Sequence, residues 1–167
     1  MGWLPPEQYV TTIENATMFG CFFVTDVHGR PLGLRSRRDP DVWQFPGGDV
    51  DPGEDPLTTA IREYREETGH DLRTIHPDLA EHPRLLAVTY ASAGAAWPRA
   101  KAGYVFDGGT LTAQQLDTIT LQASEHTEWA VHDLEGWGKL MTGPRHEFVS
   151  KVAEARVSGQ TLYLGAL

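Results

Sequence analysis

Three glutamates spaced to share one side of a helix are the residues in this chain best suited to chemistry. Glu63, Glu66 and Glu67 stand at positions i, i+3 and i+4, and residues at this spacing lie on one helix face. The segment starts with Asp-Pro and ends at a glycine, which is typical of helix termini. The sequence therefore predicts a helix from about Pro56 to the residue before Gly69.

The three carboxylates should destabilise this helix unless they bind a cation. Like charges at i and i+4 repel, and the helix macrodipole disfavours anions near the C-terminus. An apolar stripe predicted to face the core runs beside them and comprises Leu57, Ala60, Ile61 and Tyr64. Mg²⁺ or Mn²⁺ takes oxygen ligands and would cancel the repulsion. The alternative is a solvated acidic face neutralised by arginines of the same helix.

The residues around the glutamates form a longer pattern. Gly48 is followed after five residues by Glu54, and seven further residues lead to the segment Arg62–His70, REYREETGH. This pattern resembles the Nudix box, G-x5-E-x7-R-E-U-x-E-E-x-G-U, in which U is an apolar residue. Every fixed position is filled, although Tyr64 and His70 occupy the two U positions. The resemblance extends over about residues 19–71.

The resemblance implies a metal site that acts on a diphosphate. By match to the family, Glu66 and Glu67 are metal ligands, the carbonyl of Gly47 completes the site, and Glu63 is a ligand or the base that activates water. Mg²⁺ is the expected ion, with Mn²⁺ as an alternative. Glu67→Gln should then abolish turnover but leave the fold at least as stable, because it removes one charge from a crowded stripe.

Further residues are assigned orienting and substrate-binding roles. The resemblance implies that Arg62 and Glu54 orient the base, or form a salt bridge that joins loop and helix. Gly48 permits a backbone turn beside the substrate. Arg35 and Arg37 share one face of a predicted strand. They are predicted to bind phosphate oxygens, since the arginine fork matches phosphate geometry; ordinary surface arginines are the alternative.

One more carboxylate is predicted outside the box. Proteins that resemble the Nudix family often recruit it from a loop after the central strands. Downstream of the box, two acids closely precede a strand-like run only in residues 124–131, SEHTEWAV. Glu125 is assigned the auxiliary catalytic role, and Glu128 is expected to face solvent; the alternative is that both are ordinary loop acids.

Strand-like and helix-like segments alternate irregularly along the chain, which predicts an α/β fold. Strands are expected at residues 18–25, 31–35, 85–91, 102–106, 118–121 and 129–131, and a loop over 39–55 is expected to contain a short extended piece at 42–45. Further helices are expected from Thr112 and over 144–156. The resemblance and this order of elements predict a Nudix-like α/β/α sandwich around a mixed β-sheet, forming a single domain over 1–167. The terminal apolar fragments 3–4 and 162–164 are expected to pack on the domain edge.

Composition narrows the class of partner. The chain has 167 residues, a net charge of −9 and 40% hydrophobic residues, as expected for one globular domain. A negative field repels duplex nucleic acid.

Neither a signal peptide nor a membrane-spanning run is recognisable, and the lone Cys21 cannot form an internal disulfide, so a cytoplasmic protein with no membrane partner is expected. A homodimer is compatible with the resemblance. The seven histidines are dispersed, which does not suggest a zinc site.

The function expected from these observations is Mg²⁺-dependent hydrolysis of a diphosphate linkage. The resemblance implies a small-molecule substrate of nucleotide type, either a nucleoside diphosphate derivative or a nucleoside triphosphate. A non-catalytic ligand-binding domain of the same fold is one alternative. A prenyl diphosphate isomerase is another, but it would need a cysteine near the site, and Cys21 lies in an apolar run.

The carboxylate repulsion generates a test of cation binding. We expect the thermal midpoint to be higher in several millimolar Mg²⁺ than in EDTA, because a cation that binds only the folded state stabilises it. At ten times the dissociation constant the gain is about 1.4 kcal/mol. Melts in NaCl of equal ionic strength control for general screening, and identical midpoints in Mg²⁺ and EDTA would contradict the prediction.

Overall fold

The computed structural model describes residues 3–95, 97–141 and 143–165, so the ends of the predicted 1–167 domain lie outside the described residues. The helices are α1 (Pro6–Tyr9), α2 (Pro56–Thr68), α3 (Leu72–Ile75), α4 (Pro77–Glu81), α5 (Ala113–Leu116), α6 (Leu134–Leu140) and α7 (Pro144–Ser158). The strands are β1 (Ala16–Asp26), β2 (Leu32–Ser36), β3 (Trp43–Gln44), β4 (Gly47–Asp49), β5 (Leu85–Ala91), β6 (Ala100–Leu111), β7 (His126–Val131) and β8 (Leu162–Gly165).

Two sheets organise these strands. The larger has the order β4-β1-β6-β5-β8, in which β1 runs parallel to β6 and β5 parallel to β8, while the other pairs are antiparallel. The smaller is antiparallel, with the order β3-β2-β7. The prediction of a mixed sheet between helices is confirmed.

The central strand β1 is buried on both faces. Phe22 and Val24 pack into the cluster formed with α2, whereas Cys21 and Phe23 pack into a second cluster formed with α6 and α7. Alternate side chains of a strand point to opposite faces. The uninterrupted apolar run in this segment therefore results from helices that cover both sides of the sheet.

Helix α2 has the predicted ends and the predicted buried face. The Asp55 side chain accepts hydrogen bonds from the first turn, and Gly69 ends the helix with φ of 74°. Tyr64 is fully buried, with its ring 5.9 Å from that of Phe22. His70 is also buried, and its ring bonds to the Thr118 hydroxyl. Both residues at the usually apolar box positions are thus accommodated in the interior.

Two predictions about elements are wrong. Residues 118–121 form no strand; instead, the backbone N–H groups of Thr120 and Gln122 donate to the carbonyls of Thr68 and Glu67. The segment therefore satisfies carbonyls that the end of α2 leaves unpaired. Trp3 does not pack on the domain but is 84% exposed, whereas the segment at 162–164 does form the edge strand β8.

No helix within the described residues is both long enough and apolar enough to cross a lipid bilayer.

The contact between β1 and α2 depends on Gly20. A Cβ atom at this position would overlap the backbone carbonyl of Pro56, in the first turn of the helix. We therefore expect Gly20→Ala to lower the free energy of unfolding by about 1–3 kcal/mol, as overpacking does elsewhere. Gly94→Ala is the control, because a Cβ there meets no atom within 4 Å. Urea denaturation measures both, and equal stability of the two variants would contradict the prediction.

Candidate active site

Arg62 lies at the centre of a network of carboxylates on the polar edge of α2. Its Nε is 2.9 Å from Glu54, and its terminal nitrogens lie 2.8 Å from Glu63, 3.2 Å from Glu66 and 3.3 Å from Asp51. The hydrogen bonds from Arg62 lower the pKa of Glu54 to about 2. The network ties the loop after β4 to the helix and offsets part of the negative charge.

Glu67 is the buried member of the acidic stripe, whereas Glu63 is mostly buried and Glu66 half exposed. One Glu67 oxygen accepts the backbone N–H of Gly47 at 2.7 Å, and the other lies 2.6 Å from Nε2 of His126. Burial raises the pKa of Glu67, and the hydrogen bonds from His126 and Gly47 oppose that rise without cancelling it.

Glu63 contacts the strand that precedes the helix. A Cβ atom at Gly48 would overlap the Glu63 carboxylate, so the glycine gives this side chain its place against β4. Burial raises the pKa of Glu63, the bond to Arg62 opposes the rise, and the charges of Glu67 and Glu66 add to it. The carboxylates are therefore held close enough to repel one another.

The start of β7 brings two further residues to this site. Ligand atoms of Glu67, Glu125 and His126 lie within 4.8 Å of one another. The spacing of the seven histidines does not predict a role for His126, since none of them is paired at the spacing of metal ligands. Its adjacency to Glu125 is the one signal that could have found it.

A cavity of about 650 Å³ opens beside the glutamates. Glu63, Glu125, Gly47 and Gly48 line the cavity. Basic residues also line it: Arg38, Lys101 and Arg145. Aromatic rings contribute apolar surface: Phe19, Trp43, Phe45, Trp137 and Phe148. The cavity thus combines carboxylates, cationic side chains and aromatic surface, which suits a phosphorylated molecule with a ring system.

The two arginines predicted to bind phosphate do not line this cavity. Arg35 donates to the carbonyl of Pro40 and pairs with Glu128 at 3.3 Å, while Arg37 donates to the carbonyl of Ala123. Arg35 lies opposite Glu128 across the β2–β7 pair, which directs it to the sheet surface. β2 ends at Ser36, so the alternation of strand side chains does not predict where later residues point. Arg38 lies beyond this end and lines the cavity.

The two candidate auxiliary carboxylates lie in different surroundings. Glu125 lines the cavity and accepts a hydrogen bond from the Gln122 amide. Glu128 is about half exposed, and its contact is with Arg35. The auxiliary role of Glu125 stays a prediction, but its position allows that role.

Cys21 also lines the cavity. Burial raises the pKa of its thiol to about 12. The side chain therefore stays protonated at neutral pH, which does not favour a role as a thiolate nucleophile.

The donor set fits a hard divalent cation. Carboxylate oxygens of Glu67 and Glu125 lie within 4.8 Å of each other, and Glu63 and Glu125 line the same cavity. Burial raises the pKa values of Glu63 and Glu67; the charges of Glu66 and Glu67 add to the rise for Glu63, and that of Glu125 adds to the rise for Glu67. A cation would relieve this repulsion. Oxygen donors of this kind are those preferred by Mg²⁺ and Mn²⁺.

A family model described as the NUDIX domain matches residues 14–149. The chain belongs to the Nudix family. A putative 8-oxo-dGTP diphosphatase from Bacillus subtilis is 40% identical over 52 residues, which cover 31% of this chain and 35% of that protein. An RNA pyrophosphohydrolase from Agrobacterium fabrum is 30% identical over 121 residues, covering 68% of this chain and 70% of that protein. The B. subtilis match, like that to a Nitratiruptor RNA pyrophosphohydrolase, spans less than half of the relative's own length.

Solved structures of this Nudix fold agree with the architecture. The MutT protein from Methanosarcina mazei has a TM-score of 0.64 at 21% identity and covers 89% of this chain and 98% of its own. An Ap4A hydrolase from C. elegans has a TM-score of 0.61 at 21% identity, covering 86% and 99%. At this level of identity the likeness concerns the fold.

The contacts of Glu67 reverse one expectation from the sequence. Its two oxygens contact the backbone N–H of Gly47 and the ring of His126, and a glutamine amide lacks the negative charge that strengthens both hydrogen bonds. We now expect Glu67→Gln to lower the free energy of unfolding in EDTA by about 1–3 kcal/mol, the usual contribution of hydrogen bonds to a charged group. Glu66→Gln is the half-exposed control and should change it by less than about 0.5 kcal/mol. Urea denaturation of a Glu67→Gln protein as stable as wild type would show that relief of repulsion dominates.

Proposed function

We propose that this Nudix protein is a pyrophosphohydrolase that cleaves a diphosphate linkage in a nucleoside diphosphate derivative or a nucleoside triphosphate. The observation that carries the proposal is the cavity, which is lined by Glu63 and Glu125 and also by Arg38, Lys101 and Arg145. Carboxylates that attract a cation, beside basic groups that attract phosphate, are what a diphosphate requires.

The metal ligands in this proposal are Glu63, Glu66 and Glu67 with the carbonyl of Gly47. When bound, Mg²⁺ or Mn²⁺ supplies neutralisation of phosphate charge and acidifies a water molecule. The protein holds Glu67 in place through the N–H of Gly47. Glu63 is a ligand or a general base, and its bond to Arg62 orients its carboxylate for either role.

Substrate recognition in this proposal relies on the remaining walls of the cavity. Arg38 and Arg145 are the residues best placed to bind phosphate oxygens, in place of Arg35 and Arg37. Lys101 is held by Asp49 at 2.8 Å and lies over the ring of Phe19, which fixes its charge at the wall. Aromatic surface is available for a base or another ring of the substrate.

The names of the relatives support the reaction class. The relative from B. subtilis is named as a putative diphosphatase, and those from Nitratiruptor and A. fabrum are named as pyrophosphohydrolases. Several are named for RNA, but the net charge of −9 disfavours a long nucleic-acid chain, whose phosphates extend beyond the cavity. A small nucleotide therefore fits this chain better than an RNA end.

The two alternative functions have less support from the site. A non-catalytic binding domain has no use for a complete set of box carboxylates held by Arg62. A prenyl diphosphate isomerase would need an active cysteine, and the pKa of the Cys21 thiol is raised to about 12 by burial.

A substrate panel with Mg²⁺ tests the proposal. It comprises nucleoside triphosphates, nucleoside diphosphate sugars, dinucleoside polyphosphates and a 5′-triphosphorylated RNA oligonucleotide, with phosphate release read after a coupled phosphatase. We expect turnover of at least one small nucleotide and its loss in EDTA. Turnover of the RNA alone would overturn the small-molecule assignment, and binding without turnover of any member would support a binding domain.

Matched substitutions at the two loop carboxylates test the catalytic assignment. We expect Glu125→Gln to lower kcat at least tenfold, which corresponds to about 1.4 kcal/mol of transition-state stabilisation, because Glu125 lines the cavity. Glu128→Gln should leave kcat unchanged, since its contact is the exposed Arg35. The assay uses saturating Mg²⁺ and the best substrate of the panel; the reverse pattern would transfer the role to Glu128.

A further inference from the structure

His126 has no role in the reaction proposed above, yet it contacts a proposed metal ligand. Its side chain is fully buried at the first position of β7. Its Nε2 lies 2.6 Å from a carboxylate oxygen of Glu67, a residue 59 positions away in the chain. At this distance the buried imidazole and the Glu67 carboxylate form a hydrogen bond.

The bond completes a pair of donors around Glu67. The backbone N–H of Gly47 donates to the second oxygen at 2.7 Å, so each oxygen has one donor from the protein. A carboxylate oxygen carries two lone pairs, so these two donors use one lone pair on each oxygen. The two donors come from β4 and β7, on different sheets, and together they fix the plane of the carboxylate.

We propose that His126 is a positioning residue that holds Glu67 ready to bind the divalent cation, an inference that rests on the proposed function. The imidazole acts through Glu67 and does not itself touch substrate. A group that hydrogen-bonds to a metal ligand fixes the orientation of that ligand before the metal binds. Removal of such a group typically weakens metal affinity about 10–100-fold. Because Glu125 precedes His126 directly, one turn of backbone delivers both the cavity carboxylate and the residue that orients Glu67.

The chain offers a matched control in His70. This histidine is also buried and follows the end of the same helix α2, but its Nε2 faces the Thr118 hydroxyl at 3.1 Å and not a carboxylate. Substitution of His70 therefore disturbs the same region of the core without removing a donor from Glu67.

The experiment measures cation binding directly, without turnover. Free Mn²⁺ is followed by electron paramagnetic resonance while Mn²⁺ alone is titrated into wild type, His126→Leu, His126→Gln and His70→Gln, each checked for folding by circular dichroism. We expect His126→Leu to bind Mn²⁺ about 10–100-fold more weakly. His126→Gln should stay close to wild type, because its amide nitrogen occupies nearly the place of Nε2, and His70→Gln should be unchanged. If His126→Leu does not fold, His126→Asn replaces it, since its amide stops short of Glu67.

The outcomes separate this inference from the proposed function. Wild type that binds no Mn²⁺ overturns the metal-dependent function itself. Wild-type affinity in His126→Leu overturns only the positioning role. Equal weakening in His126→Gln and His126→Leu shows that the imidazole is a direct ligand, and equal weakening in His70→Gln shows general loosening of the core; either result overturns the proposal. With substrate, His126→Leu should lower kcat and raise the Mg²⁺ concentration needed for half-maximal activity. The KM for substrate at saturating Mg²⁺ should stay near that of wild type.

Discussion

The close docking of helix α2 on strand β1 is the constraint on which the site depends. Gly20 allows the first turn of the helix to approach the strand, and the burial of Ala60, Ile61 and Tyr64 fixes the rotation of the helix about its axis. Residues three and four apart share a face, so this rotation directs the glutamates toward β4. Since β4 also pairs with β1, one strand positions both the glutamates and the glycines that contact them.

Charge in the site is only partly balanced by the protein. Arg62 bonds to several carboxylates at once, and Glu67 receives donors on both oxygens, yet the pKa values of Glu63 and Glu67 remain raised by burial. An excess of buried negative charge is costly when no cation is bound. The same excess of negative charge favours the binding of a divalent cation. The stability of the fold and the proposed activity therefore depend on the same carboxylates.

The cavity collects residues from distant parts of the chain. Arg38 follows β2, Lys101 lies on β6, Glu125 precedes β7 and Arg145 lies in the first turn of α7. None of these elements forms the site alone. They meet because β3, α6 and α7 contribute to one core cluster, in which Trp43, Phe45 and Trp137 pack with Val149 and Val152. Opposite charges around one opening follow from this packing and suit a cation bound together with a phosphate.

The sequence by itself determined α2, its ends, its buried face and the presence of the box, because helix period and capping depend on residues within a few positions of one another. It also determined that the central strand is buried, since an unbroken apolar run needs cover on both sides. Only the tertiary structure decided the irregular segment at 118–121, the surface contacts of Arg35 and the bond between His126 and Glu67. Each of these depends on which hydrogen-bond partner the fold brings near, such as Thr68 for Thr120 or Glu128 for Arg35. Such partners lie tens of residues away, and no local pattern encodes them.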